Sequence, residues 1–124
     1  MKAKSDNTTT TRGCEAESVA ALYLEARGQR LLERNFRVRG GEIDLICREG
    51  NTLVFVEVRL RSRQDFGGAG ASITATKRRR IIMAARHYLA RRGAECDCRF
   101  DCVLMSGLQE SQIEWIKHAF AADD

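Results

Sequence analysis

The sequence predicts a single α/β domain with a mixed central sheet flanked by helices. Its 124 residues suit one domain. Helical and strand patterns follow one another in the order helix, three strands, helix, then one or two strands, which is typical of one layered domain. The composition is 44% hydrophobic and 31% charged, as expected for a soluble globular protein that buries a core without disulfides or a structural metal.

The two ends of the chain are predicted to lie outside this domain. Residues 1–12 are polar and rich in Thr, so we expect a disordered tail and not a signal peptide. The folded domain is expected to span residues 13–120, followed by a short tail at residues 121–124. No run of residues is long and apolar enough to cross a membrane. These features predict a cytoplasmic protein that does not contact membranes.

One helix and three strands are predicted in the first half of the chain. The helix runs from Gly13 to the stop signal Gly28. Its apolar face is formed by Val19, Ala20, Leu22, Tyr23 and Leu24. The strands are expected at Arg30–Arg39, Glu42–Arg48 and Thr52–Leu60, separated by Gly40-Gly41 and by the hairpin turn Gly50-Asn51.

The second half is predicted to contain a loop, a long helix and two strands. The loop, from Ser62 to Ala71, is rich in glycine but lacks the Gly-Lys-Ser/Thr of a phosphate-binding loop. We interpret it as a flexible connection or a substrate flap. Thr74 is expected to cap a helix from about Ala75 to Arg92, with an apolar face formed by Ile81, Ala85, Tyr88 and Leu89. The strands are expected at Arg99–Met105 and Gln112–Lys117.

Two acidic residues interrupt strands that are otherwise apolar. Asp44 lies in GEIDLI and Glu57 lies in FVEVRL. If Gly50-Asn51 form a two-residue turn, Asp44 faces Glu57 directly across the hairpin. A four-residue loop would instead pair Glu42 with Glu57 and leave Asp44 as a diagonal neighbour on the same face. Both registers bring carboxylates together.

Carboxylates this close favour a bound cation, because their mutual repulsion grows away from water. Oxygen ligands of this kind suit Mg²⁺ or Mn²⁺, and the backbone carbonyl of Val58 lies within reach as a further ligand. Arg59, on the same strand face as Glu57, adds a cationic side chain. Such a cluster suits metal-assisted phosphodiester hydrolysis. The alternative is a surface hairpin whose acids are solvated or paired with arginines.

Basic residues are concentrated in the middle of the chain. From Arg59 to Arg92 there are ten basic residues and one acidic residue. The run Lys77-Arg78-Arg79-Arg80 falls in the first turns of a helix, where the helix dipole disfavours cations. Bound phosphates would compensate, and so would ion pairs with acids on neighbouring elements. We expect DNA binding without sequence preference, with phosphate contacts from Arg61, Arg63, Lys77, Arg78, Arg79 and Arg80.

Other polar residues are interpreted as structural. The number of cysteines, five, is odd and includes no C-x-x-C pair, so we expect reduced thiols and no zinc site. Cys47 and Cys102 fall in strands, where a thiol acts as a small apolar side chain. Asp101, also in a strand, is read as a partner for a buried arginine, with a role as a site acid as the alternative.

Several stretches together resemble the uncharacterised bacterial YraN-like family. They are AESVAALYLEARG, LLERNFRVRGGEIDLI, LVFVEVRLRS, FGGAGASITATKRRR and RFDCVLM. The resemblance runs from about Gly13 to Phe120. That family is placed in the PD-(D/E)XK superfamily, which includes restriction endonucleases and Holliday-junction resolvases. The resemblance implies a restriction-endonuclease-like αβββαβ core and Mg²⁺- or Mn²⁺-dependent cleavage of DNA, including branched DNA.

The resemblance also assigns roles to individual residues. Asp44 matches the first acid of the superfamily motif, and Glu57 matches the Glu of Glu-x-Lys. Glu17, on the first helix, matches an additional acid of the resolvase-like branch. Lys77 falls where the family carries a Lys at the start of the second helix. The implied catalytic set is therefore Glu17, Asp44, Glu57 and the residue at position 59.

Position 59 departs from the superfamily pattern, because Arg59 stands where the motif has Lys. Arginine stays charged and cannot act as a base, although it can bind the scissile phosphate and stabilise developing charge. We therefore expect Arg59→Lys to raise the cleavage rate. A catalytically weak or inactive DNA-binding module is the second hypothesis. The third is a protein-interaction domain, whose acidic segment Gly93–Asp124 meets the basic segment of another copy. We prefer the enzyme, and a resolvase would work as a homodimer.

Overall fold

The computed structural model describes residues 8–61, 73–92 and 96–122, with side chains described from Gly13 onward. The elements follow the predicted order of one helix, three strands, one helix and two strands. They are α1 (Thr8–Glu25), β1 (Arg30–Val38), β2 (Gly41–Glu49), β3 (Thr52–Leu60), α2 (Ala75–Arg92), β4 (Cys98–Met105) and β5 (Ile113–Phe120), with a 3₁₀ turn at Glu110–Gln112 before β5. The Gly-rich loop lies outside the described residues, as do residues 1–7.

The five strands form one mixed sheet in the order β1-β2-β3-β4-β5. The pairs β1–β2, β2–β3 and β4–β5 are antiparallel, and β3–β4 is parallel. The parallel pair follows from the connection through α2, because parallel neighbours need a long crossover. The predicted α/β class, the αβββαβ order and the mixed sheet are therefore confirmed.

Two apolar clusters lie on the two faces of the sheet, one beneath each helix. Successive residues of β3 alternate between them, since Val54 packs with Leu24 of α1 whereas Phe55 packs with Tyr88 of α2. We call these the α1-side core and the α2-side core. The α1-side core also holds Cys47 and the α2-side core holds Cys102, as predicted for buried thiols. Burial raises the pKa of each of these two thiols to about 12.

The first helix differs from its prediction in two respects. It begins at Thr8 and not at Gly13, so it includes five residues that were assigned to the tail. Its buried side includes Ala16, Ala20 and Leu24, whereas Leu22 is 68% exposed. The prediction of Leu22 as a core residue was wrong, because the buried side of the helix is made mainly of alanines.

The second helix and the last strand were predicted closely. Thr74 Oγ1 accepts a hydrogen bond from the backbone N–H of Lys77 at 3.1 Å, so the predicted cap is confirmed. β5 extends three residues past the predicted end at Lys117, because Phe120 pairs with Phe100 and their rings stack at 4.8 Å. Within the described residues, neither helix has the length and apolar character needed to cross a membrane.

Candidate functional site

The hairpin β2–β3 has the register of a two-residue turn. Glu49 pairs with Thr52, and the ladder continues as far as Leu45 with Val56. Asp44 and Glu57 are the next positions along these two strands, as the two-residue turn predicts. The alternative register, in which Glu42 faces Glu57, is wrong.

The regular alternation of side chains along β2 is interrupted at Asp44, next to the last residue pair between β2 and β3. Ile43 packs in the α2-side core and Leu45 in the α1-side core, although regular alternation would put both on one face. The Asp44 Oδ2 atom accepts a hydrogen bond from the backbone N–H of Val58 at 2.9 Å. The carboxylate of Asp44 thus accepts a hydrogen bond from a backbone N–H group of β3 at the point where the pairing of the two strands ends.

Gly41 explains how the first part of β2 can turn toward α2. A Cβ atom at this position would lie 2.5 Å from the backbone oxygen of Arg80 and 2.9 Å from the backbone nitrogen of Ala84. Only glycine therefore allows this close approach. The parting of β2 from β3 leaves room for polar side chains between the strands.

A cavity of about 410 Å³ occupies this position. It is lined from both helices as well as from both strands, and its lining includes Glu17, Glu42, Asp44, Glu57 and Lys77. Four carboxyl groups from α1, β2 and β3 thus converge on one space. The structure brings together the three acids predicted for the site and adds Glu42, which the sequence analysis considered only in the wrong register.

The surroundings of the cavity disfavour the ionised form of Asp44. The pKa of Asp44 is raised from 3.8 to about 8, first because of burial and then because of the nearby Glu57, Glu17 and Glu42 carboxylates. The hydrogen bond from Val58 opposes this shift without cancelling it. Near neutral pH the free site therefore holds a proton on Asp44, and a bound cation would favour its release.

Glu57 has a cationic partner from the opposite helix. Its side chain is 5% exposed, and its Oε2 atom lies 2.9 Å from Nζ of Lys77, whose side chain is 41% exposed. The cap at Thr74 fixes the backbone of Lys77 in the first turn of α2. Sequence analysis placed Lys77 among the phosphate contacts. The pairing with this particular acid depends on the tertiary packing of α2 against the sheet.

Two of the predicted site residues, Glu17 and Arg59, each have a buried polar atom that lacks a hydrogen-bond partner among the described residues. The Oε1 atom of Glu17 is buried, and no described residue gives it a hydrogen bond; the nearest cation, Nη2 of Arg34, is 3.9 Å away. Nε of Arg59 is likewise buried and unpaired within the described part of the chain. Unsatisfied polar atoms are costly in a protein interior, so a ligand that bonded to these two atoms would lower that cost.

The donor set suits a hard divalent cation. Carboxylate oxygens are the ligands that Mg²⁺ and Mn²⁺ prefer, and Glu17 offers a buried oxygen that no described residue hydrogen-bonds. Among residues 8–61, 73–92 and 96–122, no three or more Asp, Glu, His or Cys side chains are placed so that they could hold a metal ion together. Lys77 lies against Glu57 instead, so an ion would have to replace this contact.

The other predicted phosphate contacts have different environments. Arg79 and Arg80 are exposed. Arg78 is partly buried and donates to the backbone oxygen of Ile73 at 3.0 Å, which holds the residues before the helix in place. Arg61 pairs with Glu114 at 3.3 Å. Arg63 lies outside the described residues.

Asp101 belongs to a separate cluster and not to the cavity. It is fully buried, and its carboxylate accepts hydrogen bonds from two guanidinium nitrogens of Arg99, from Nε1 of Trp115 and from the backbone N–H of His118. Arg99 also pairs with Glu49 at 2.6 Å. The prediction of a structural partner for a buried arginine is confirmed.

Comparison with known proteins gives a consistent family. The model of "Uncharacterised protein family UPF0102" matches residues 16–105. A UPF0102 protein of Dechloromonas aromatica is 68% identical over the full length of both chains. A UPF0102 protein of Nitrosomonas europaea is 57% identical over 88% of this chain and 92% of the relative. These matches confirm the family resemblance drawn from the sequence motifs.

Proposed function

The chain belongs to the UPF0102 family, and from the geometry of its cavity we propose that it is a divalent-metal-dependent nuclease that cleaves DNA phosphodiester bonds. The observation that carries the proposal is the convergence of Glu17, Asp44 and Glu57 on one cavity beside the basic N-terminus of α2. Mixed α/β architecture and motif position also fit the PD-(D/E)XK superfamily. Placement in that superfamily is part of the proposal.

The proposed ligands are the carboxylates of Asp44 and Glu57 and the backbone carbonyl of Val58, with Glu17 as an additional acid. Mg²⁺ or Mn²⁺ held by these residues would supply Lewis acidity toward the phosphate and lower the pKa of a water ligand. Asp44 would hold the ion in its ionised form, because the positive charge opposes the burial and the neighbouring carboxylates that raise its pKa. Arg59 contributes a permanently charged guanidinium group, of which only Nε is buried, to stabilise negative charge on the phosphate.

The basic side of α2 is the proposed DNA-binding surface. Exposed positions of this helix carry Arg79, Arg80, Arg86, Arg91 and Arg92. Arginines at exposed positions of a helix contact phosphates without reading bases. The proposed partner is therefore DNA of any sequence, in the cytoplasm. Branched DNA is included in the proposal, because the two sites of a homodimer could act on two strands.

Cleavage assays with a matched pair of variants test this function. Wild-type protein, Asp44→Asn and Asp97→Asn are incubated with duplex, single-stranded and four-way-junction DNA in Mg²⁺ or Mn²⁺. Asp97 is exposed and belongs to neither acid cluster. We expect metal-dependent cleavage that falls at least about a thousandfold in Asp44→Asn and is unchanged in Asp97→Asn.

Two other results would change the proposal. DNA that is bound but never cut, in either metal, would favour the non-catalytic DNA-binding module, to which Arg59 in place of lysine already points. Binding should then weaken steeply between low and moderate salt, because phosphate contacts release counterions. Absence of DNA binding at low salt would contradict both hypotheses.

A further inference from the structure

Lys77 is the one residue of the basic run whose side chain the described structure places against a site carboxylate. Arg78 is held by the backbone oxygen of Ile73, and Arg79 bonds to Oγ1 of Thr76 at 3.3 Å. Lys77 Nζ instead reaches Glu57 Oε2 at 2.9 Å. It also lines both the large cavity and a neighbouring cavity of about 320 Å³ that opens toward Thr74 and Arg80.

The contact has the features of a displaceable ion pair. The backbone of Lys77 is fixed by its cap, but its ammonium sits at the end of a flexible stem, and the side chain is 41% exposed. Glu57, by contrast, is almost fully buried, so it needs a positive partner at all times. A divalent ion carries twice the charge of the ammonium and would compete directly for the same Oε2 atom.

Resting on the proposed function, we infer that Lys77 is a displaceable counter-ion that becomes a catalytic residue. In the metal-free protein its ammonium neutralises Glu57. When a divalent cation takes Glu57, the ammonium is released into the adjoining space and binds the substrate phosphate there. A mobile lysine on α2 thereby supplies the primary ammonium that the strand position of Arg59 does not.

The layout of the two cavities supports this movement. Glu42, Glu57 and Lys77 line both of them, so the side chain of Lys77 stands at their common boundary. The neighbouring cavity is also lined by Thr74, Thr76 and Arg80 at the start of α2. A phosphate there would meet the N-terminal end of the helix together with two cationic side chains, which is a favourable anion site. A short rotation of the lysine stem is sufficient to change its partner.

The test measures metal binding without DNA and then cleavage with DNA. Mn²⁺ affinity is determined by calorimetry for the wild type, Lys77→Met and Arg79→Met. Methionine keeps the apolar stem of each side chain and removes its charge, so Arg79→Met controls for the general loss of one positive charge from the same helix. Thermal unfolding of each metal-free variant confirms that it folds.

We expect Lys77→Met to bind Mn²⁺ roughly three- to tenfold more tightly than the wild type, since a competing ion pair of this strength is lost. Arg79→Met should differ by less than about twofold, because an exposed and distant charge is screened. Cleavage at saturating Mn²⁺ should fall about tenfold or more in Lys77→Met. Tighter metal binding together with slower cleavage is a combination that simple structural damage would not produce.

Each contrary result identifies what has failed. If no variant binds Mn²⁺, the proposed nuclease function fails. If the wild type and Lys77→Met bind Mn²⁺ equally, the displaceable counter-ion is wrong while the metal site stands. If Lys77→Met binds the metal more tightly but cleaves at the wild-type rate, the transfer to the phosphate is wrong.

Discussion

Two clusters of acidic residues lie in the same sheet, and they differ in how completely their charges are compensated. The carboxylate of Asp101 accepts four hydrogen bonds from three residues, and one of these donors, Arg99, also binds Glu49. Among the described residues, Asp44 accepts a hydrogen bond from the backbone N–H of Val58 and is surrounded by other acids. Glu17 keeps one buried oxygen to which the described residues donate no hydrogen bond, with Arg34 Nη2 at 3.9 Å.

The difference separates a structural acid from acids that are arranged for a ligand. A fully bonded buried carboxylate lowers the cost of its own burial and joins the elements that donate to it. A group of poorly compensated carboxylates raises the free energy of the folded protein and is retained when a bound ion or substrate removes the penalty. This contrast leads to opposite expectations for substitutions at the two clusters.

The largest expected effect is at Asp101. Asp101→Ala removes the acceptor for Arg99 and leaves a guanidinium that is nearly buried beside Trp115 without its main partner. We expect the free energy of unfolding to fall by about 3–5 kcal/mol, as measured by urea denaturation of the metal-free protein. A loss below about 1 kcal/mol would show that the cluster is not the structural element described here.

The next effect has the opposite sign. Asp44→Asn should stabilise the metal-free protein, by up to about 5 kcal/mol at pH 8. In the unfolded chain Asp44 ionises near its usual pKa, whereas in the folded protein its pKa is raised to about 8. Between these values the folded state holds the extra proton, so wild-type stability falls as the pH rises from about 4 to about 8.

Asparagine at position 44 avoids this loss because it carries no ionisable group, and it can still accept the hydrogen bond from Val58. The gain should therefore be small near pH 4 and reach its full size near pH 8. The measurement is a series of urea unfolding curves across this range for both proteins. A difference that does not change with pH would show that Asp44 titrates normally.

Much of this contrast could be predicted from the sequence. Strand patterns and the Gly50-Asn51 turn predicted two registers, and the structure has the one that places Asp44 opposite Glu57. Asp101 was correctly assigned to an arginine partner, since a charged residue inside an apolar strand needs one. These features depend on residues close in sequence or on rules that hold for any buried charge.

Other features depend on packing between distant elements, which local patterns do not contain. The partner of Lys77 is set by how α2 lies against β3, and the parting of β2 from β3 depends on the contact between Gly41 and the backbone of Arg80. The exposed side of α1 was misjudged because alanines at Ala16 and Ala20 give a weak apolar signal. Gly41, three residues before Asp44, is the sequence feature that could have indicated the irregular strand, because glycine within a strand often marks a close backbone contact.

A third prediction concerns the space that holds the unsatisfied acids. Gly41→Ala would place a methyl group 2.5 Å from the backbone oxygen of Arg80, so α2 or the start of β2 must move. We expect a loss of about 2 kcal/mol in the free energy of unfolding. Because the same contact sets the distance between α2 and the cavity, Mn²⁺ affinity should change as well. Unaltered stability and unaltered affinity would show that β2 can adjust freely.

The Asp101 cluster offers a control for this effect, because Gly41 takes no part in its hydrogen bonds. Chemical-shift or fluorescence changes at Trp115, which donates to Asp101, should be absent in Gly41→Ala. A change at Trp115 would mean that the two clusters are coupled through the sheet, and the comparison between them would then have to treat them as one unit.

The smallest expected effects come from the same substitution at two arginines. Arg99 uses its Nε and both terminal nitrogens to bind Asp101 and Glu49, and lysine cannot reproduce this planar set of donors. Arg99→Lys should therefore cost about 1–2 kcal/mol. Arg59 has a buried Nε for which no described residue is a partner. Arg59→Lys removes that unsatisfied group and should change stability by less than about 0.5 kcal/mol.

The cleavage rate should also distinguish the two variants, and here the larger change is expected in Arg59→Lys. Arg59→Lys introduces a primary amine beside Glu57 that can lose its proton when its pKa is depressed, whereas arginine stays charged. We expect faster cleavage in Arg59→Lys and, once folded, an unchanged rate in Arg99→Lys. If Arg59→Lys is no faster than the wild type, the hypothesis that arginine at this strand position limits the reaction is wrong.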